Sequence, residues 1–141
     1  MAVEGLSLAV GVAIVRAMET LGLEGGGVKW PNDILWQGRK LAGVLLEISG
    51  DPAGTCEVIV GIGLNVDMPR LEGGAVDQAW VDLAQALPAR PDRNGVVAAL
   101  LDQLLPLLET YEVRGFGQYR DAWEALDAHR GQMVVLKMGE R

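Results

Sequence analysis

Lys29-Trp30-Pro31-Asn32-Asp33 sets a cation, an aromatic ring, a rigid turn and two oxygen-bearing side chains in five consecutive positions. Such density at the end of an extended run suits a bound ligand. It suits equally a turn in which Asn32 and Asp33 make Asx-type hydrogen bonds while Lys29 is a solvated edge charge. A second run, Arg39-Lys40-Leu41-Ala42-Gly43-Val44-Leu45-Leu46-Glu47, leads from two cations into an apolar strand that contains a glycine. Glycine weakens a strand and often marks close approach by a ligand or another backbone. Alternation of period two puts Gly43 and Leu45 on one face, where a flat apolar ligand could lie, whereas Lys40 has the opposite parity. Lys40 reaches that face only if the strand is twisted or bulged near Gly38; otherwise it is an edge-protecting lysine. In Gly61-Ile62-Gly63-Leu64-Asn65 the device recurs, with two glycines and an amide that can donate and accept, as an adenine edge requires.

Other chemistry is weaker. The GxG at Gly61 lacks the third glycine and following helix of a dinucleotide fingerprint, and Gly25-Gly26-Gly27-Val28-Lys29-Trp30 is not a P-loop. Glu47 and Glu57 read as solvated carboxylates rather than an acid/base pair. Cys56 reads as an apolar filler, having no identifiable base partner. Trp80, after the irregular Gly73-Gly74-Ala75-Val76, is either a packing anchor or a lid aromatic that stacks on a base.

These residues need elements to hold them. Leu6, Val10, Ala13, Ile14, Ala17, Met18 and Leu21 recur at helical spacing, with Gly22 as a C-cap. Short extended runs follow at 28–30, 34–37, 40–48 and 56–66, punctuated by turns at 31–33, 38–39 and 50–54. The spacing predicts an antiparallel sheet. Residues 78–87 read as a short helix within a loop-rich stretch, and Val96, Val97, Leu100, Leu101, Leu104, Leu105, Leu108 and Tyr111 as a longer one, capped by Asp92 or Asn94 and kinked at Pro106. Phe116, Tyr119, Trp123 and Leu126 form one face of a last helix, and residues 133–138 read as a strand without a partner. The class is α+β, with helices flanking an antiparallel or mixed sheet.

At 141 residues and 15.1 kDa, 50% hydrophobic and 22% charged, the chain has the make-up of one globular domain. Twelve Lys and Arg against nineteen Asp and Glu give a net charge of −7, the wrong sign for a grip on nucleic acid phosphates. One cysteine, Cys56, excludes an intrachain disulfide, and with His129 as the only histidine no structural zinc site is expected. Glu4, Arg16 and Glu19 argue against a signal peptide or membrane span in the first helix. This pattern predicts a cytoplasmic protein.

Lys-Trp-Pro-Asn-Asp at 29–33, Arg-Lys-Leu-Ala-Gly at 39–43 and Gly-Ile-Gly-Leu-Asn at 61–65, in this order and spacing, resemble the biotin–protein ligase family. The likeness extends from Gly-Leu-Ser-Leu at 5–8 to Trp-Glu-Ala-Leu-Asp at 123–127. It implies a catalytic domain like that of biotin ligases and class II aminoacyl-tRNA synthetases over 1–127, and the opening of an SH3-like β-barrel over 128–141. The implied activity is ATP-dependent formation of biotinoyl-5′-AMP and transfer of biotin to a lysine of a biotin carboxyl carrier protein. Magnesium would accompany the ATP.

By the same matching, Lys40 takes the catalytic lysine position, and Asp33, the second catalytic candidate, would lie near the phosphates, ribose or attacking lysine. Gly43, Leu45, Gly61 and Leu64 would line the biotin pocket. Lys29 and Asn32 would neighbour the phosphates, Asn65 would read adenine, and Val76 and Trp80 would close over it. The family's glycine- and arginine-rich loop has no counterpart before the first helix here. The resemblance therefore implies an internal piece of a ligase, and little or no adenylation by these 141 residues alone. It admits a homodimer. Alternative readings are a lipoate or octanoate ligase, against which Trp-Pro-Asn-Asp speaks, and a non-catalytic binding or dimerisation module on the same scaffold.

Overall fold

The computed structural model describes residues 3–51, 54–69 and 78–137. In chain order it contains α1 (Leu6–Thr20), β1 (Gly26–Lys29), β2 (Asp33–Trp36), β3 (Arg39–Gly50), β4 (Cys56–Leu64), α2 (Leu83–Ala86), α3 (Arg93–Arg114), a 3-10 turn (Phe116–Tyr119) and α4 (Arg120–Leu126). The four strands form one antiparallel sheet in sequence order. The α+β class is as expected.

Helix α1 is buried almost all round, with only Arg16, Glu19 and Thr20 exposed. Its residues Val10, Ile14 and Met18 join Val28, Ile34, Leu41, Ala42 and Val44 of the sheet, and Leu107 and Tyr111 of α3, in a single core. Because it has neighbours on both sides, an all-apolar sequence serves it better than the amphipathic stripe of a surface helix. Each fully buried Val, Ile, Leu or Met contributes roughly 2 kcal/mol over an exposed one. The helices cover one face of the sheet, and the other carries half-buried and exposed positions: Gly43, Leu45, Ile59, Gly61 and Gly63.

Turn chemistry sets the strand boundaries. The β2–β3 connection is the pair Gln37-Gly38, at φ 50° and 73°, one residue earlier than the 38–39 turn read from sequence. Two successive positive φ values match the twist of a tight hairpin. At Gly50, φ is 106° and a Cβ would stand 2.7 Å from the Thr55 carbonyl oxygen, so glycine alone fits.

Helix α3 starts at Asp92, whose carboxylate accepts from the Gly95 N–H at 3.0 Å, and runs unbroken through the exposed Pro106. The Tyr111 hydroxyl donates to the Glu4 carbonyl oxygen at 2.6 Å, tying α3 to the start of α1. Burial, followed by the proximity of Tyr119 and Glu4, pushes that hydroxyl up to about 12. Past α4, the Ala128 N–H donates to the Val28 carbonyl at 2.9 Å, and Asp127 bridges Val28, so the β1 edge is covered. Two expectations are corrected. Residues 133–137 form no strand, having no ladder to join, and the helix read over 78–87 is reduced to Leu83–Ala86 because Trp80 joins the sheet as a bridge to Lys40.

Candidate functional site

A bulge decides which way the key lysine faces. Ile34 pairs with Ala42 but Leu35 pairs with Lys40, so Leu41 is the extra residue. Leu41 and Ala42 are consecutive and both buried, while Lys40, Gly43 and Leu45 turn outward. The parity conflict in the sequence is thereby removed. The Lys40 Nζ forms an ion pair with Asp33 Oδ1 at 2.8 Å. Its Cε and Nζ lie 3.3 and 3.4 Å from the position a Gly43 Cβ would occupy. The lysine tip thus sits in space that any side chain at 43 would contest.

Register builds the surface under it. Lys29 pairs with Asp33, Asp33 with Gly43, and Gly43 with Gly63, which makes one outward row across all four strands. In the parallel row Leu45 pairs with Gly61. Cross-strand partners share a face, so Gly43, Gly61 and Gly63 leave a floor of backbone edged by Leu45, which is 63% exposed. Leu64 pairs with Ala42 and packs against the core from the opposite face, so its side chain is not part of this floor. Glu47 and Glu57 are exposed farther along the hairpin.

Next to the lysine, residues 79–84 form a strap across the ends of β3 and β4. The Lys40 N–H donates to the Ala79 carbonyl and the Val81 N–H to the Lys40 carbonyl, both at 2.9 Å, while Leu83 and Ala84 donate to Asn65 and Val66 at 3.0 Å. Beneath the strap opens a cavity of about 370 Å³ lined by Lys40, Ala42, Gly63, Asn65, Met68, Gln78 and Trp80. Asn65 donates its amide hydrogens to the carbonyls of Lys40 (3.3 Å) and Val81 (3.1 Å), which fastens strap to sheet. Both of its side-chain bonds to described residues run through the amide nitrogen, none through Oδ1. Instead of the Asx-type turn bond expected from sequence, the Asn32 side-chain amide donates to the Val44 carbonyl at 2.9 Å and its backbone carbonyl accepts the Val44 N–H at 2.8 Å, which fastens the turn to β3.

Lys29, besides its place in the outward row, lines a separate groove of about 870 Å³ with Trp30, Trp123, His129 and residues 130–136. Val76 lies outside the described residues. Ala42, Met68, Gln78 and Asp82 were not singled out from sequence. Asp82 is 3% exposed, and its carboxylate accepts from the N–H of Met68, the N–H of Gln85 and the Gln85 side-chain amide, each at 3.0 Å. Asp82-Leu83-Ala84-Gln85 does carry the spacing of a helix-capping motif, the signal that could have found it.

The model of the biotin/lipoate A/B protein ligase family matches residues 2–65, the stretch holding β1 to β4 and Lys40. Over 137 residues the chain is 37% identical to the bifunctional ligase/repressor BirA of Escherichia coli, covering 97% of this chain and 42% of that protein. This chain belongs to the biotin/lipoate protein ligase family. A biotin–(acetyl-CoA-carboxylase) ligase of Paracoccus denitrificans is 33% identical, matching 91% of this chain and 56% of that ligase. The chain thus spans about half the length of these ligases. Among solved structures, biotin protein ligase from Aquifex aeolicus in complex with biotin and ATP superposes with a TM-score of 0.75 at 27% identity, over 89% of this chain and 51% of that one. The fold therefore matches about half of that biotin protein ligase structure.

Proposed function

We propose that this chain carries the catalytic face of a biotin–protein ligase, which joins biotin to AMP and passes the biotinoyl group to a lysine of a biotin carboxyl carrier protein. The observation that supports this most is the Lys40–Asp33 pair, 2.8 Å apart, above a floor made of Gly43 and Gly63 and beside the Trp80 cavity. A floor without side chains accommodates a flat bicyclic ligand, and the adjoining cavity accommodates a base. The ammonium lies between them, where the reacting carboxylate and α-phosphate would meet.

In the first step a biotin carboxylate oxygen attacks the α-phosphorus of ATP, an O–P bond forms, the bond to the β-phosphate bridge breaks and pyrophosphate leaves. Lys40 stabilises the charge that builds on the phosphoryl oxygens. In the second, the neutral amine of the carrier lysine attacks the acyl carbon, the bond to AMP breaks, and the amine gives up one proton. Asp33 orients Lys40 and offers the incoming lysine an anionic partner. Gly43, Leu45 and Gly61 bed the biotin, with Leu64 backing them from the core. Asn65 accepts from the adenine amine through Oδ1, and Trp80 walls the base. Asn32 holds the turn on which Asp33 sits, and Lys29 neighbours the phosphates. Magnesium would accompany ATP and neutralise charge on its phosphate oxygens. No helix among the described residues is long and apolar enough to cross a membrane; ATP as co-substrate favours a cytoplasmic reaction.

The family model covers lipoate enzymes as well; the Trp-Pro-Asn-Asp run and the biotin ligases among the relatives favour biotin. The test is biotin-dependent ATP–pyrophosphate exchange in a protein that joins this segment to the family's glycine- and arginine-rich loop, without which little or no adenylation is expected. Exchange with biotin but not lipoate is expected, falling about 100-fold or more in Lys40→Ala. Exchange driven equally by lipoate, or insensitive to Lys40→Ala, would contradict the reading.

A further inference from the structure

We infer that Asp82 is a positioning residue for the nucleotide cavity, setting the Met68 and Trp80 walls through one buried carboxylate. The inference rests on the reading of that cavity as the adenosine site. Asp82 has two oxygens with separate duties. Oδ1 takes the Gln85 backbone and side-chain N–H groups and so caps α2, whereas Oδ2 reaches across to the Met68 N–H, just past the end of β4. Capping a four-residue helix needs only the first of these. The second joins the two segments that supply cavity-lining residues: Met68 on the β4 exit and Trp80 on the strap, two residues before Asp82. Strap and exit are also laced by the Leu83-to-Asn65 and Ala84-to-Val66 backbone bonds, so the carboxylate closes the outer end of a ladder that begins at Lys40. Buried charge–dipole bonds of this kind are short in reach and costly to leave unmade, which makes the spacing of the two walls stiff.

Asp82→Ser separates the duties, since a serine hydroxyl caps α2 but has no second oxygen to reach Met68. The full chain is compared with the variant by amide exchange, by the Trp80 indole resonance and by calorimetric titration with biotin and with a hydrolysis-resistant biotinoyl-sulfamate analogue of the adenylate. Expected are loss of Met68 amide protection, a moved Trp80 resonance, retained protection in α2, unchanged biotin affinity and about tenfold weaker binding of the adenosine-bearing probe. Equal weakening of both probes would mean a general structural role and overturn the inference. So would an unchanged Met68 amide or Trp80 resonance. If the unsubstituted chain binds neither probe, the nucleotide reading fails, and the exchange and indole data alone decide whether Asp82 sets the walls.

Discussion

Gly63 has no heavy atom within 4 Å of where a Cβ would stand, so the fold does not require glycine there. If the position is kept bare for a ligand, Gly63→Val should leave the thermal midpoint unchanged or slightly higher, valine being a strand former, with an effect within about 0.5 kcal/mol. Titration with the biotinoyl-sulfamate analogue should meanwhile show at least tenfold weaker binding, about 1.4 kcal/mol. Gly43 behaves differently, because a Cβ there meets the tip of Lys40 and would move the lysine itself. At this scale much of the site was legible: the glycines and Lys40 stand out as residue types. The bonding of Asn65 was not legible, since its donors turn inward to the carbonyls of Lys40 and Val81. Which face Leu64 takes was not legible, since it follows from its pairing with Ala42, which points it at the core.

Elements carry what single residues do not disclose. Lys40 faces the floor because Leu41 bulges, and no local pattern marks a bulge beyond the fact that two consecutive core-type residues interrupt an alternation. The hairpin that leads into it holds Gln37 at φ 50°, so Gln37→Asn, a residue at ease in that region, should stabilise by about 0.5 kcal/mol in urea unfolding. On the helical side Tyr111 makes the clamp between α3 and the start of α1. Its folded-state pKa, about 12, exceeds the ordinary 10.0, so the folded protein holds the phenolic proton more tightly than the unfolded chain. Its contribution is complete below pH 10.0 and is lost as the pH rises toward about 12. Tyr111→Phe should therefore flatten the alkaline decline of the urea midpoint across that window. At neutral pH the same variant should lose about 1 kcal/mol through the missing bond to the Glu4 carbonyl. Helix existence and the four strands were readable from periodicity. The strap was not, because its pairing with Lys40 joins residues far apart in the chain.

For the whole molecule, the helices take one face of the sheet and the candidate chemistry takes the other, where Leu45 and Ile59 are 63% and 64% exposed. That division follows from α1 and the inner strand positions being apolar, and it was legible as an α+β class. The neighbourhood of cavity and floor was not legible, because it needs the register of β3 on β4 and the return of the chain at Trp80. Whether floor and cavity form one acyl-adenylate site is tested by backbone amide and indole resonances followed during titration with the biotinoyl-sulfamate analogue. A single site gives shifts at Gly43, Gly61 and Gly63 together with the Trp80 indole, whereas biotin alone moves the glycines but not Trp80. Shifts confined to the groove of Trp30 and Trp123, or none on the glycine row, would contradict it.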